Sequence, residues 1–249
     1  MEHNSLLNRF ETARRDTSLA VLEGFHAIKH AIRFGADIQI VASSNLSEQQ
    51  RLAGILAPDV KDSLAAITVE VPESVMEKLS PHPSRAESIA IAHRSTTDLS
   101  QILDDPRPRP VVFLERTSHL GNIGAVIRVA AGAGAAGVVT TGQHDPWNSV
   151  AIRGGAGLQF AIPVMQIERL PECDRPLIAI HPDGDELSAD LIPDRAILAF
   201  GEERTGLSDS VLQQTETHLR IPMTDGVSSL NLATAAAVVL YTWRLRIQE

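Results

Sequence analysis

Short, almost unbroken apolar runs alternate along this chain with segments whose apolar positions recur every three or four residues. IQIVAS (38–43), AITVEV (66–71) and ESIAIAH (87–93) read as strands, as do VVFLE (111–115), GVVTT (137–141), PLIAIH (176–181), AILAFG (196–201) and the short HLRIPM (218–223). Between them lie helical patterns. EGFHAIKHAIRFG (23–35) places Phe25, Ile28, Ala31 and Ile32 on one face and stops at Gly35. SEQQRLAGILA (47–57) runs from Ser47 as N-cap to Pro58, and PESVMEKLS (72–80) opens on Pro72. NIGAVIRVAAGAG (122–134), LSDSVLQQ (207–214) and SLNLATAAAVVLYTWRLR (229–246) follow. Strands apolar on both faces, separated by helices, predict the α/β class, with a parallel sheet covered on both sides.

DDPRPRPVV (104–112) carries Pro106, Pro108 and Pro110 at alternate positions, which excludes a helix and favours an extended spacer. It divides the chain into a small α/β unit at 1–103, a Pro-rich linker at 104–110 and a parallel-sheet domain at 111–249. The 249 residues suffice for two such cores, and 43% apolar with 21% charged residues is an ordinary globular composition. The apolar runs are too short to cross a bilayer, and MEHNSLLNRFETARR lacks the apolar stretch of a signal peptide. Cys173 is the only cysteine, so an internal disulfide and a thiolate metal cluster are excluded and a reducing cytoplasm is expected. HPDGDELS (181–188) lacks calcium-loop spacing and reads as a surface turn, so no metal is expected.

A net charge of −9 argues against a general nucleic-acid binder. Yet Lys29, Lys61 and Lys78 all precede the linker, and every basic residue after it is arginine, the side chain suited to bidentate phosphate contacts.

Three stretches carry candidate chemistry. In HLGNIGAVIRVAAGAGAAG (119–137) the glycine spacing fits neither the dinucleotide fingerprint nor a P-loop. A helical wheel groups Ile123, Val126, Ile127, Ala130 and Ala131 toward the sheet and leaves Arg128 outside, beside Gly124 and Gly132. Asn122 is placed as N-cap. Taken alone, a plain cap and a solvated arginine account for this stretch. ILAFGEERTGLSD (197–209) runs from a buried strand through Gly201, Glu202 and Glu203 to a helix capped near Ser208, where open α/β sheets place ligands. RIPMTDGVSSLNLATAAAVVLY (220–241) leads through Ser228 or Ser229 as cap, with Asn231 in the first turn, into a helix of small residues suited to close packing.

Together and in this order, Asn-x-Gly-x-x-x-Arg (122–128), Gly-x-Glu-x-x-Gly-Leu-Ser (201–208) and Ile-Pro-Met…Gly-x-x-Ser-Leu-Asn (221–231) resemble the three signature motifs of the SpoU/TrmH family of RNA ribose 2′-O-methyltransferases, in the SPOUT superfamily. DPWNSVAIRGGAGLQFAIPV (145–164) is similar to the family's stretch between the first two motifs, so the resemblance covers about 111–249. VLEGFHAIKHAI (21–32) resembles the L30e-like RNA-binding module that often precedes this catalytic domain.

The resemblance implies a deep trefoil knot at the C-terminal side of the catalytic domain and a homodimer with the site at the subunit interface. It implies S-adenosyl-L-methionine as cofactor, held through Gly201, Ile221 and Leu230 with Met223 nearby, and Arg128 as the central catalytic residue. Asn122, Glu203, Ser229 and Asn231 would position backbone, ribose and arginine. A guanidinium keeps its proton, so anchoring a phosphate and stabilising charge on oxygen suit Arg128 better than acting as a base. Glu202 stands where many members have asparagine, and Ser228 where others have Glu or Gln. Neither departure removes a matched residue. The implied substrate is ribosomal RNA, with transfer RNA as runner-up, and Arg116, Arg128, Arg153 and Arg204, with Arg9, Arg14 and Arg15 of the first unit, are candidates for a local basic surface. A non-catalytic knotted RNA-binding dimer and a dinucleotide enzyme are the alternatives.

Overall fold

The structure is a computed structural model that describes residues 3–80, 87–215 and 217–246. In chain order the first elements are α1 (His3–Ala13), β1 (Leu19–Glu23), α2 (Phe25–Arg33), β2 (Ile38–Ser43), α3 (Leu46–Leu56), α4 (Lys61–Ile67), β3 (Thr68–Glu70), α5 (Glu73–Leu79), β4 (Ser88–His93) and α6 (Leu99–Leu103). Then come β5 (Val111–Leu114), α7 (Leu120–Ala133), β6 (Gly137–Thr140), α8 (Ser149–Gly154), β7 (Val164–Gln166), β8 (Leu177–Glu186), β9 (Ile197–Phe200), α9 (Asp209–Leu212), β10 (Thr217–Arg220) and α10 (Leu232–Arg246).

The chain divides into two compact units, and the division differs from the one read off the prolines. Unit 1 takes Met1–Thr96 together with Trp147–Ala161, and unit 2 takes Thr97–Pro146 and Ile162–Glu249.

Unit 1 is built on a four-stranded sheet of order β1-β4-β2-β3, in which β4 runs antiparallel to β1 and β2 while β2 and β3 are parallel. One face buries Leu6 and Phe10 of α1 against Val21, Ile40, Ile89, Ile91 and Met76. On α2 the predicted stripe is buried at Phe25, Ile28 and Ala31. Two local predictions change. Asn45, not Ser47, caps α3 by accepting from the Glu48 N–H at 3.0 Å, and residues 66 and 67 end α4 rather than open β3. The returning piece, 147–161, is fixed to unit 1 by side chains. Within the piece, buried Trp147 and Phe160 meet edge to face with centroids 5.1 Å apart and close it on itself. Arg153 Nη1 lies 3.4 Å from Glu23 Oε2, and His30 Nδ1 lies 2.7 Å from the Ala156 carbonyl. That packing moves the segment out of the second domain, where its place in the sequence puts it.

Unit 2 is the predicted parallel sheet, six strands of order β10-β8-β9-β5-β6-β7 with every pairing parallel. Val111, Phe113, Val139, Ile197 and Ala199 share one core with Ile102, Leu207 and Val211. The run 181–186, read as a surface turn, belongs to β8. Its register against β10 jumps between His218 and Leu219, from Ala179 to Asp185.

The Pro-rich segment is no free spacer. Arg175, 4% exposed, reaches it with a fully used guanidinium. Nε donates to Leu103 O, Nη1 to Arg109 O and Arg195 O, and Nη2 to Ile102 O and Asp105 O, at 2.6 to 3.2 Å. An arginine has five N–H donors, and here each meets a main-chain carbonyl.

Candidate active site

Each of the three stretches follows a strand of the parallel sheet, where open α/β sheets bind ligands. They are joined by side chains. Asn122 Nδ2 donates to Glu203 Oε1 at 2.6 Å, and Asn122 Oδ1 accepts from Asn231 Nδ2 at 3.1 Å. Asn231 Oδ1 accepts from the Ala233 N–H at 2.9 Å. Glu203 Oε2 accepts from both the N–H (3.2 Å) and the Oγ–H (2.8 Å) of Ser118.

Two expected caps are thereby corrected. Asn122 is not an N-cap, because α7 begins one turn earlier, after His119, and frees the amide to point across to Glu203. The N-cap of α10 is Asn231 rather than Ser228 or Ser229, since its side chain takes the second N–H of the helix.

Glu203 sits under opposing influences. Burial pushes its carboxyl up, but the hydrogen bonds from Asn122 and Ser118 outweigh that and hold it below the usual carboxylate value. It is an anion at neutral pH. Its loop is closed by two main-chain bonds, Glu202 N–H to Gly206 O at 3.1 Å and Gly206 N–H to Glu202 O at 2.9 Å. Position 201 must be glycine for this closure, because a Cβ there would lie 2.0 Å from the Gly206 carbonyl carbon.

Sequence reasoning passed over two residues of this arrangement. Ser118 shares Glu203 with Asn122, and Glu115 receives Ser208 through both carboxylate oxygens, at 2.7 Å from N and 2.6 Å from Oγ. The signal for Glu115 was its place as the polar residue ending an apolar run. Ser118 offered none. Between them Arg116 has φ +51°, and Gly142 opposite has φ +95°, where a Cβ would stand 3.0 Å from the Arg116 Cα.

Arg128 is not part of the network. It is exposed, and among the described residues it has no hydrogen-bond or ion-pair partner. Six residues beyond Asn122, it lies roughly 9 Å further along α7 and a third of a turn around it. Ser229 is exposed and its side chain likewise has no described partner. Ile221 and Met223 are half-buried and Leu230 is 39% exposed. With respect to the described residues, the main-chain groups of Gly201, Ile221, Met223 and Leu230 are unpaired.

The expected basic surface is thinner than the sequence implied. Arg14 and Arg153 are both paired with the buried Glu23, and Arg116 with Glu115. Arg204 keeps an exposed cation on the Glu203 loop. Among the described residues no group of His, Cys, Asp or Glu is placed to hold a metal ion, and no helix is long and apolar enough to cross a membrane.

Comparison with known proteins agrees with this layout. The model of the SpoU rRNA Methylase family matches residues 109–241. The 23S rRNA (guanosine(2553)-2′-O)-methyltransferase RlmP of Bacillus subtilis is 25% identical over 93% of this chain and 90% of its own. The 23S rRNA (uridine(2479)-2′-O)-methyltransferase of Streptomyces viridochromogenes is 26% identical over 88% of this chain and 79% of its own. The crystal structure of the SpoU methyltransferase AviRb from Streptomyces viridochromogenes, in complex with the cofactor AdoMet, has the same fold, with a TM-score of 0.80 and 20% identity over 99% of both chains. With the family match covering more than half of its length and all three motif stretches meeting in one sheet-end network, the chain belongs to the SpoU rRNA Methylase family.

Proposed function

We propose that this protein transfers a methyl group from S-adenosyl-L-methionine to a ribose 2′-hydroxyl of structured RNA, and that the RNA is ribosomal rather than transfer RNA. The observation that carries the reading is the Asn122–Glu203–Asn231 network, which draws one residue from each motif into a single hydrogen-bonded unit. The choice of ribosomal RNA is supported by the two relatives above, which are named as 23S rRNA enzymes and match across most of the chain.

The residues fit the cofactor. Ile221, Met223 and Leu230 offer apolar surface beside open main-chain donors and acceptors, which suits the flat face and hydrogen-bonding edge of an adenine. Gly201 lets the 202–206 loop close against it and leaves its own main-chain groups without partners among the described residues. When bound, the cofactor supplies an electrophilic methyl group on a sulfonium. The protein must orient the ribose oxygen and offset the charge that develops on it. Arg128, exposed and without a partner among the described residues, takes the substrate phosphate bidentately and stabilises that charge. Asn122, Asn231 and the anionic Glu203 hold the loop ends in register, and Ser229 contacts the ribose. In the same reading the segment from β9 to α10 forms the trefoil knot, unit 1 is an L30e-like RNA-binding module, and the enzyme is a cytoplasmic homodimer. The exposed Val238, Tyr241 and Leu245 on one face of α10 supply apolar surface for a second copy.

Mapping 2′-O-methyl sites across all RNAs of a deletion strain tests this. One ribosomal site should disappear and return on complementation. Loss of a transfer-RNA site alone would move the substrate, and loss of none would remove the reading.

A further inference from the structure

We propose that Glu115 is a positioning residue for methyl transfer, seating the 201–208 loop so that Glu203 meets Asn122. The proposal rests on the function given above and adds a residue that lies outside the three motifs.

Glu115 follows directly on β5, and its N–H extends the ladder by donating to Phe200 O at 2.9 Å. Its side chain is 8% exposed. One carboxylate oxygen accepts the Ser208 N–H at 2.7 Å, and the other accepts the Ser208 Oγ–H at 2.6 Å and the Arg116 Nη2–H at 3.3 Å. Because the Ser208 hydroxyl gives its proton to Glu115, its lone pairs stay free to accept the Val211 N–H and cap α9. The loop is therefore anchored at both ends, at Gly201 by continuity with β9 and at Ser208 by this carboxylate.

The segment 115–122 then grips the loop at three points: Glu115 on Ser208, Ser118 on Glu203 and Asn122 on Glu203. Ser118 and Asn122 hold only the exposed tip. Glu115 is the buried anchor, and in low dielectric a charge-assisted pair of bonds is stronger and more directional than those at the surface. Without it the tip contacts must locate the whole loop, and a shift near 1 Å costs on the order of 100-fold in rate.

The test uses the full chain, with methyl-labelled S-adenosylmethionine and total RNA from a deletion strain. Glu115→Gln keeps the shape but presents an amide N–H₂ to a donor on one side. It is expected to lower kcat by about 10- to 100-fold with RNA KM unchanged. Ser208→Ala should lose a similar factor, Ser208→Thr should retain activity, and Glu115→Gln with Ser208→Ala should fall no further than the worse single variant, since the two act as one unit. Turnover of Glu115→Gln within twofold of the parent, losses that multiply, or equal activity of Ser208→Ala and Ser208→Thr would overturn the proposal. Should Glu115→Gln fail to fold, the two Ser208 variants decide. An independent readout is hydrogen exchange at the Glu202 and Gly206 amides, whose protection should drop in Glu115→Gln. Unchanged protection overturns the proposal whatever the activity, whereas a parent enzyme that transfers no methyl group to any RNA overturns the function instead.

Discussion

Asn122 donates one hydrogen bond to Glu203 at 2.6 Å and accepts another from Asn231, so a single amide on α7 holds both of the other motif stretches. The orientation of that amide is fixed from both sides: its N–H₂ must face the carboxylate and its oxygen must face the Asn231 donor. An aspartate at 122 would set two carboxylates together. Asn122→Asp is accordingly expected to lose more activity than Asn122→Ala in a methyl-transfer assay, because like charges at this distance repel and one must take up a proton.

Glu203 sets a pH dependence. Its folded carboxyl lies below the ordinary value, so the stability it lends the loop is fully present above the unfolded carboxylate range and is lost as pH falls through the lower folded value. The acid limb of the activity profile that belongs to this group should therefore lie below the usual carboxylate range. It should be absent from the residual activity of Glu203→Gln. An acid limb near pH 6 that vanishes in Glu203→Gln would contradict the assignment.

Arg128 has no partner among the described residues, so removing it breaks no described contact. Arg128→Ala should fold and melt within about 0.5 kcal/mol of the parent, as for an exposed substitution. Calorimetry should show cofactor affinity retained, while methyl transfer falls by about 100-fold or more, the scale of losing a charge-stabilising donor. Near-normal turnover would remove Arg128 from the reaction.

Arg175 makes a stability prediction. Lysine has three donors on one nitrogen and cannot meet five carbonyls arranged around a planar fork. Arg175→Lys leaves at least two of these buried carbonyls without their donor, at a cost of about 1–3 kcal/mol each. Denaturant unfolding should show unit 2 destabilised by at least about 2 kcal/mol, and a change under 0.5 kcal/mol would mean that the clasp contributes little.

Arg116 tests the turn that aims Ser118 at the site. Its φ of +51° is disfavoured for a side-chain-bearing residue and most disfavoured for a β-branched one. Arg116→Gly should fold within about 1 kcal/mol of the parent, whereas Arg116→Val should be less stable than Arg116→Gly by about 1 kcal/mol or more. Equal melting of the two variants would show that the turn relaxes freely.

Much of this protein was legible in its residues. The strands IQIVAS, VVFL and ILAF appear where the apolar runs place them, because a strand buried on both faces is apolar throughout. The stripe of α2 and the cap at Ser208 also follow from local spacing. α1 was passed over although Leu6, Phe10 and Ala13 recur at helical intervals, because its other positions are polar and the stripe is narrow. Local pattern also misplaced the caps of α3, α7 and α10. Several Ser and Asn residues stand near each helix start, and the packing of each end decides which side chain reaches an amide.

Composition and periodicity determined the α/β class and the parallel sheet of the second unit, and the order of three motifs pointed to the family, since each of these is written in local spacing. Only the tertiary structure decided that 147–161 returns to the first unit, that Arg175 binds the proline-rich segment, and that Ser118 bonds Glu203 and Glu115 bonds Ser208. Those contacts join positions dozens of residues apart. They depend on which buried donors and carboxylates must find partners once the sheet is assembled, a condition that no stretch of sequence carries alone.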